Sequence, residues 1–215
     1  MSSNPIPDSE VVLDPKSTIL VVVDVQNEFV KPGGRLYDIK DQAEKERAHS
    51  MVSKLASFLQ KCRGENIRTV FLQSVRSADS HEFKVWGTEP HLIEGTWSSQ
   101  IIDELKPQEN EVIVQKRSHD CFIQPDMENL LQKYDHKPFE GKVIVTGGSI
   151  SVCSYTAIIG FSQRNYYTVV PIDCSYGLKQ GEEFAVKQLS TGAYNYNVAL
   201  TNSDKIRFQS GTTSA

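Results

Sequence analysis

Apolar residues along the chain follow two alternating patterns. Residues 17–25 form a nearly continuous run of β-branched residues, which is typical of a strand buried on both faces of a parallel sheet. Residues 51–64 instead place apolar side chains on one side of a helix that ends at Gly64, with a period of about 3.6 positions. The first predicted elements are therefore a strand and an amphipathic helix.

The same alternation repeats along the rest of the chain. Further strands are predicted at residues 68–74, 111–115, 142–146 and 167–172, and further helices at residues 99–105, 127–134, 152–163 and 182–196. Alternating strands and helices predict an α/β fold, with a parallel sheet covered by helices on both faces in a Rossmann-like three-layer αβα arrangement. Ligands of such folds bind beyond the carboxyl ends of the strands, so we expect the functional residues there.

Length and charge narrow the class of protein. The 215 residues suit one domain, and we expect a flexible leader at 1–16, the domain at 17–208 and a flexible tail at 209–215. A formal net charge of -4 argues against nucleic acid as a partner. No apolar run reaches the roughly 18 residues of a membrane-spanning helix. The first residues lack the pattern of a secretion signal, so we expect a cytoplasmic protein with no membrane partner.

The cysteines are better candidates for individual thiol chemistry than for disulfide bonds or a metal site. They do not form the closely spaced pairs of a metal site, and they are too sparse for a disulfide scaffold. The four cysteines are Cys62, Cys121, Cys153 and Cys174. Each thiol must therefore be judged by its own surroundings.

Three reactive side chains stand at the ends of predicted strands. Asp24 ends the first strand, Lys116 directly follows the third, and Cys153 follows the fourth where a helix should begin. A thiol at a helix N-terminus beside an ammonium group is expected to have a lowered pKa. A carboxylate nearby can take or relay its proton. The three groups together predict a nucleophilic site at one rim of the sheet.

The segment VTGGSISVC at 145–153 adds a turn before this thiol. Its two glycines permit a sharp turn, and backbone N–H groups in such a turn can stabilise an oxyanion. The candidate donors are the N–H groups of Ser149 and Cys153.

Each of these residues also has an ordinary structural interpretation. A cysteine at a helix start is usually a small buried apolar residue, an aspartate at a strand end usually caps a turn, and a lysine is usually solvated. Their joint placement at three strand ends is what favours an active site.

Three motifs carry a family resemblance. They are DVQNEF at 24–29, the lysine of QKRSHDCF at 115–122, and TGGSISVC at 146–153. Together they resemble the isochorismatase-like cysteine hydrolase superfamily, which includes nicotinamidase, N-carbamoylsarcosine amidase, biuret hydrolase and ureidoacrylate amidohydrolase. The resemblance covers roughly residues 13–200. It implies the fold of that family, a catalytic triad of Asp24, Lys116 and Cys153, and a cis peptide bond between Gly148 and Ser149.

The resemblance also implies a function and several alternatives. We expect a cysteine amidohydrolase that cleaves the C–N bond of a small amide through a thioester on Cys153, with a ureido or carbamoyl compound as the first choice of substrate. We expect no cofactor. We expect the protein to assemble as a homodimer or homotetramer. The alternatives are a nicotinamidase, an isochorismatase-type vinyl ether hydrolase that does not need the cysteine, and a non-catalytic oligomeric scaffold.

The pocket and a possible metal site are less well specified. Small ligands are buried in mostly apolar clefts, and the candidate substrate-binding residues are Asn27, Phe29, Trp86, Trp97 and Phe122. The metal site of the nicotinamidase branch is superficially reproduced by Asp79, His81 and His91. However, the segment 74–83 is more similar to the metal-free branch, so no metal is expected. The sequence after Cys153 also departs from the family pattern, because Thr156 and Ala157 come one residue early.

Overall fold

The computed structural model describes residues 9–191 and 197–210, apart from the side chains of Trp86 and Lys179. Its strands are β1 (Val11–Leu13), β2 (Thr18–Val23), β3 (Arg68–Ser74), β4 (Val112–Lys116), β5 (Lys142–Gly148), β6 (Tyr167–Pro171), β7 (Ser175–Tyr176), β8 (Val198–Thr201) and β9 (Ile206–Phe208). Its α-helices are α1 (Asn27–Val30), α2 (Arg35–Asp38), α3 (Gln42–Gly64), α4 (His81–Trp86), α5 (Asp126–Lys133), α6 (Cys153–Gln163) and α7 (Lys179–Leu189).

The main sheet is built outward from β2. All six residues of β2 are buried, because β2 lies between β3 and β5 in the order β4-β3-β2-β5-β6-β8, with β7 paired to β5. Every pair of neighbouring strands in this sheet is parallel. The predicted parallel sheet, with a central strand buried on both faces, is confirmed.

Alternate residues of β2 enter two different apolar cores. Ile19, Val21 and Val23 face a core that includes residues of α5, α6 and α7. Leu20 and Val22 face the opposite core, which is formed mainly with α3. Because successive side chains of a strand point to opposite faces, one strand joins both helix layers to the sheet. The predicted three-layer arrangement is confirmed.

Several helix boundaries differ from the sequence-based expectation. Helix α3 starts at Gln42 rather than near residue 51, because Asp41 and Glu44 form a capping box ahead of the apolar stretch. The predicted helix at 99–105 is instead two 3₁₀ turns, at Trp97–Ser99 and Asp103–Leu105. Of the helix predicted at 182–196, α7 covers the beginning, and residues 192–196 lie outside the described part. No helix among the described residues is both long enough and apolar enough to cross a membrane.

The predicted leader at 1–16 is wrong in its second half. Strand β1 lies within it and pairs in parallel with β9, so that Val11 stands opposite Ile206. Leu13 is buried in the core that packs against α3, and its carbonyl oxygen accepts a hydrogen bond from the N–H group of Gln209. A strand of three residues whose partner lies at the far end of the chain leaves no local pattern in the sequence. Residues 1–8 and 211–215 lie outside the described part.

Candidate active site

The carboxyl ends of β2, β4 and β5 bring the three predicted residues together. Asp24 directly follows β2, Lys116 is the last residue of β4, and Cys153 is the first residue of α6 after β5. Strand β3 separates β2 from β4, and the lysine side chain reaches across it, so that Lys116 Nζ lies 2.7 Å from Asp24 Oδ2. Both side chains are almost fully buried, with 2% and 1% exposed.

The ammonium group of Lys116 is held by three acceptors. Besides Asp24 it donates to Ser74 Oγ at 2.9 Å and to the carbonyl oxygen of Ser118 at 3.1 Å. Burial acts to lower the pKa of Lys116, but the charges of Asp24 and Cys153 oppose it and the net shift is upward. The buried lysine therefore stays charged, since its three donors and its charge are all compensated.

The backbone of Asp24 is fixed in an uncommon conformation. Its φ angle of 48° lies in the left-handed region, which aspartate tolerates better than most residues. Its N–H group donates to the carbonyl oxygen of Leu72 at 3.0 Å, and its own carbonyl oxygen accepts from the hydroxyl of Tyr176 at 3.0 Å. Asp24 Oδ1 is buried without a hydrogen-bond partner among the described residues. One carboxylate oxygen therefore binds lysine and the other is available to receive a proton.

The two glycines before the cysteine are needed because the chain passes close to its neighbours. A Cβ atom on Gly147, whose φ is +87°, would lie 2.2 Å from the carbonyl oxygen of Val23. One on Gly148 would lie 2.3 Å from the ring of Tyr176. The peptide bond between Gly148 and Ser149 is cis, as the resemblance implied.

The turn from 148 to 153 contains the candidate oxyanion donors. The N–H group of Ile150 is bonded to the carbonyl oxygen of Tyr176, and those of Val152 and Ser154 are bonded to the carbonyl oxygen of Ser149. These three groups are therefore not available to a substrate. Ser149 and Cys153, whose N–H groups are the predicted donors, both line the cavity beside the thiol.

The pKa of the Cys153 thiol is shifted in the direction opposite to the expectation. Burial raises its pKa to about 12, the charge of Asp24 adds to this, and Lys116 opposes it. Desolvation disfavours a thiolate more strongly than the nearby ammonium favours it. The resting site therefore holds a thiol beside a carboxylate.

A cavity of about 630 Å³ opens onto Cys153 and Asp24. Apolar side chains form much of its wall, namely Phe29, Leu36, Ile39, Leu92, Val152 and Leu178. Polar groups also line it, including Ser74, Arg76 and His91. Arg76 is paired with Glu82. A mostly apolar cleft with a few polar groups next to a nucleophile is the usual form of a small-molecule site.

Comparison with known proteins gives the family. The family model described as the isochorismatase domain matches residues 18–203, which include all three residues of the predicted triad. The chain belongs to the isochorismatase family.

Individual members of this family are only distantly similar. Ureidoacrylate amidohydrolase RutB of Pantoea ananatis is 24% identical over 196 residues, which cover 80% of this chain and 74% of the relative. N-carbamoylsarcosine amidase from Thermoplasma acidophilum has a similar structure, with a TM-score of 0.71 and 22% identity over 87% of this chain and 97% of the other. Nicotinamidase PncA from Bacillus subtilis gives a TM-score of 0.72 and 18% identity over 85% of this chain and 99% of the other. The two structures support the shared fold.

Most of the predicted substrate-binding residues are not in the cavity wall. Phe29 lines the cavity, but Asn27 is buried and donates through its amide to the carbonyl oxygen of Trp97 at 2.8 Å. The ring of Trp97 packs over Gly33. Phe122 is a core residue, with its ring centroid 4.9 Å from that of Phe161. Asn27, Trp97 and Phe122 are therefore engaged in other contacts and do not line the cavity. The side chain of Trp86 lies outside the described part.

The residues of the alternative metal site do not form a cluster. Asp79 is exposed and accepts a hydrogen bond from Ser77, and His81 is exposed at the start of α4. His91 lies against Phe83, with ring centroids 5.5 Å apart. Among the described residues no group of three or more histidine, cysteine, aspartate or glutamate side chains is placed to hold a metal ion.

Sequence reasoning missed His119 and Tyr176, which contact Cys153 and Asp24 respectively. His119 Nδ1 lies 3.2 Å from Cys153 Sγ. The ring of Tyr176 packs on Gly148 while its hydroxyl holds the backbone of Asp24. His119 lies within the motif QKRSHDCF, but only the lysine of that motif was singled out, and Tyr176 lies outside the three motifs. The only hint for His119 is that it stands three positions after the lysine.

Proposed function

We propose that the protein is a cysteine-dependent amidohydrolase that cleaves the C–N bond of a small amide. The observation that carries this proposal is the buried ion pair of Asp24 and Lys116, which stands beside the Cys153 thiol at the wall of a cavity large enough for a small substrate. A lone buried thiol would be chemically inert. A thiol next to a carboxylate with a free oxygen can be activated. Membership of the isochorismatase family supports the same reaction class.

In the first step the thiol loses its proton to Asp24 Oδ1. The sulfur lone pair attacks the substrate carbonyl carbon, a C–S bond forms, and the π electrons of the carbonyl move to its oxygen. The backbone N–H groups of Ser149 and Cys153 stabilise this oxyanion. Lys116 stays charged throughout, and its ammonium group limits the build-up of negative charge as the thiolate and the oxyanion form.

In the second step the oxyanion collapses and the C–N bond breaks. The leaving nitrogen takes the bonding electrons and the proton held on Asp24, which leaves a thioester on Cys153. A water molecule then attacks the thioester, gives one proton to Asp24, and breaks the C–S bond. The sulfur recovers the proton from Asp24, so that the overall reaction converts an amide and water into an acid and an amine.

A ureido or carbamoyl compound is the first choice of substrate. The support is that curated relatives with 22% to 24% identity over about four fifths of the chain include ureidoacrylate amidohydrolases. Arg76 and His91 in the cavity wall offer hydrogen bonds to a polar substrate. Nicotinamide is the second choice, supported by Phe29 and the apolar wall, against which an aromatic ring can pack.

The test is a panel of substrates combined with three variants. Ammonia release is measured on ureidoacrylate-like compounds, biuret, N-carbamoyl amino acids, nicotinamide and aliphatic amides. Cys153→Ala, Asp24→Asn and Lys116→Met should each remove nearly all turnover, because residues that act as a unit fail together. Cys174→Ala is the matched control, since it removes a buried thiol that does not line the cavity. An active Cys153→Ala variant would contradict the proposal and favour vinyl ether hydrolysis. Lack of turnover on every compound would favour a scaffold.

A further inference from the structure

We propose that His119 is a catalytic residue that donates a hydrogen bond from Nδ1 to the Cys153 sulfur and stabilises the thiolate when it forms. This inference rests on the proposed function, because it concerns the same nucleophile. Its basis is the contact of 3.2 Å between His119 Nδ1 and Cys153 Sγ. His119 also lines the cavity into which the sulfur opens.

The direction of this hydrogen bond follows from the other groups around the sulfur. A thiol has one proton, and among the described residues Asp24 Oδ1 is a buried carboxylate oxygen that has no hydrogen-bond partner and can receive it. The nitrogen of His119 then meets a sulfur that has lone pairs to share, so Nδ1 must carry the hydrogen. The remaining neighbour with a proton, Tyr176, already donates its hydroxyl hydrogen to the carbonyl oxygen of Asp24.

The charges around the imidazole favour its neutral form. Partial burial lowers the pKa of His119, and the positive charges of Lys116 and Arg76 lower it further, while Asp24 opposes them. If His119 took the thiol proton itself, it would place a third positive charge beside Lys116 and Arg76. A neutral imidazole with its hydrogen on Nδ1 avoids that repulsion and can still donate to sulfur.

The imidazole is carried by a loop that is tied to the nucleophile. The hydroxyl of Thr156 donates to the carbonyl oxygen of His119 at 2.8 Å and lies 2.9 Å from that of Cys153. On the other side, Lys116 Nζ donates to the carbonyl oxygen of Ser118, the preceding residue. The hydroxyl of one threonine therefore links the loop that carries His119 to the first turn of α6.

The experiment measures how fast iodoacetamide alkylates Cys153 in the full-length protein at pH 8, with peptide mapping to identify the labelled thiol. His119→Ala and His119→Phe both remove the hydrogen-bond donor, but alanine is smaller than histidine and phenylalanine is larger. If both variants slow alkylation, a change in access to the sulfur cannot explain the result. Both should slow alkylation about ten- to a hundredfold, the range expected for losing one hydrogen bond to a charged group. His119→Asn should restore the rate to within about twofold, because its amide N–H reaches the position of Nδ1.

Two results would overturn the proposal. Unchanged alkylation in both His119→Ala and His119→Phe would show that the imidazole is only part of the wall. An Asn variant as slow as the Ala variant would show that a titrating base is required instead of a donor. His49→Phe, at an exposed position on α3, is the control and should keep the wild-type rate. Because alkylation needs no substrate, this outcome is independent of whether Cys153→Ala abolishes turnover, which tests the proposed function.

Discussion

Replacing Lys116 by methionine should destabilise the protein by several kcal/mol as well as inactivate it. The ammonium group lies 2.7 Å from Asp24 Oδ2, and both side chains are almost fully removed from water. Methionine fills much of the same volume but leaves the carboxylate without its counter-ion, and Asp24 Oδ1 already lacks a partner among the described residues. Breaking a buried pair in this way costs about 3–5 kcal/mol. In a protein of this size that corresponds to a melting temperature lower by roughly 6–20 °C.

A double-mutant cycle measures the interaction energy between Lys116 and Asp24 separately from the other effects of each substitution. Urea unfolding at pH 7 gives the free energy of unfolding of Lys116→Met, Asp24→Asn and the double variant. The double variant should be more stable than the sum of the two single losses predicts, by at least about 2 kcal/mol, because it leaves no unpaired buried charge. All three variants should lack amidase turnover.

The matched control is an exposed ion pair of the same type. Lys137 and Asp135 are 3.2 Å apart, with 58% and 79% of their side chains exposed, and Lys137→Met should change the free energy of unfolding by less than about 1 kcal/mol. Strictly additive losses in the cycle, or a Lys116→Met variant as stable as Lys137→Met, would refute the argument that burial makes this pair strong.

Three other predictions concern pH and assembly. Burial lowers the pKa of His136 to about 4, so the folded state binds a proton on this residue less readily than the unfolded state does. The stability that is present above pH 6.5 should therefore be lost as the pH falls towards 4. Urea unfolding at pH 7 and pH 4.5 should show this loss in the wild type but a smaller one in His136→Phe, which keeps the ring stacked on Tyr166. Burial raises the pKa of Cys174 to about 12, so stability should fall as the pH rises above about 9, and Cys174→Ala should weaken that dependence. Light scattering should report a homodimer or homotetramer, and a single species of 24.1 kDa would contradict that expectation.

Local sequence patterns were sufficient for strands β2 to β6 and for the three residues that meet at the candidate site. The strand at Arg68–Ser74 was predicted with its observed bounds, because its apolar run is flanked by polar residues on both sides. Asp24, Lys116 and Cys153 were found because strand ends in a parallel sheet share one rim. Their proximity therefore follows from topology alone.

Features that depend on distant parts of the chain were not predicted. His119 reaches Cys153 only through a loop whose path is set by Lys116 and Thr156, and Tyr176 reaches Asp24 from a two-residue strand near the other end of the domain. The pKa of Cys153 was predicted in the wrong direction, because the sequence showed the nearby charge but not the depth of burial. Contacts and desolvation of this kind are properties of the assembled fold.

The parallel pairing of β1 with β9 has a consequence for how the protein is made. Residues 11–13 leave the ribosome long before their hydrogen-bonding partners at residues 206–208. Until then the short strand with Val11, Val12 and Leu13 has an unpaired edge, and exposed edges of this kind invite contact with other chains. Pairing β1 with β9 also has an entropic cost, because it brings together two segments that are far apart in the sequence. Residues 206–208 must therefore be synthesised before β1 can dock, and shortening the chain before Ile206 should leave that edge permanently open.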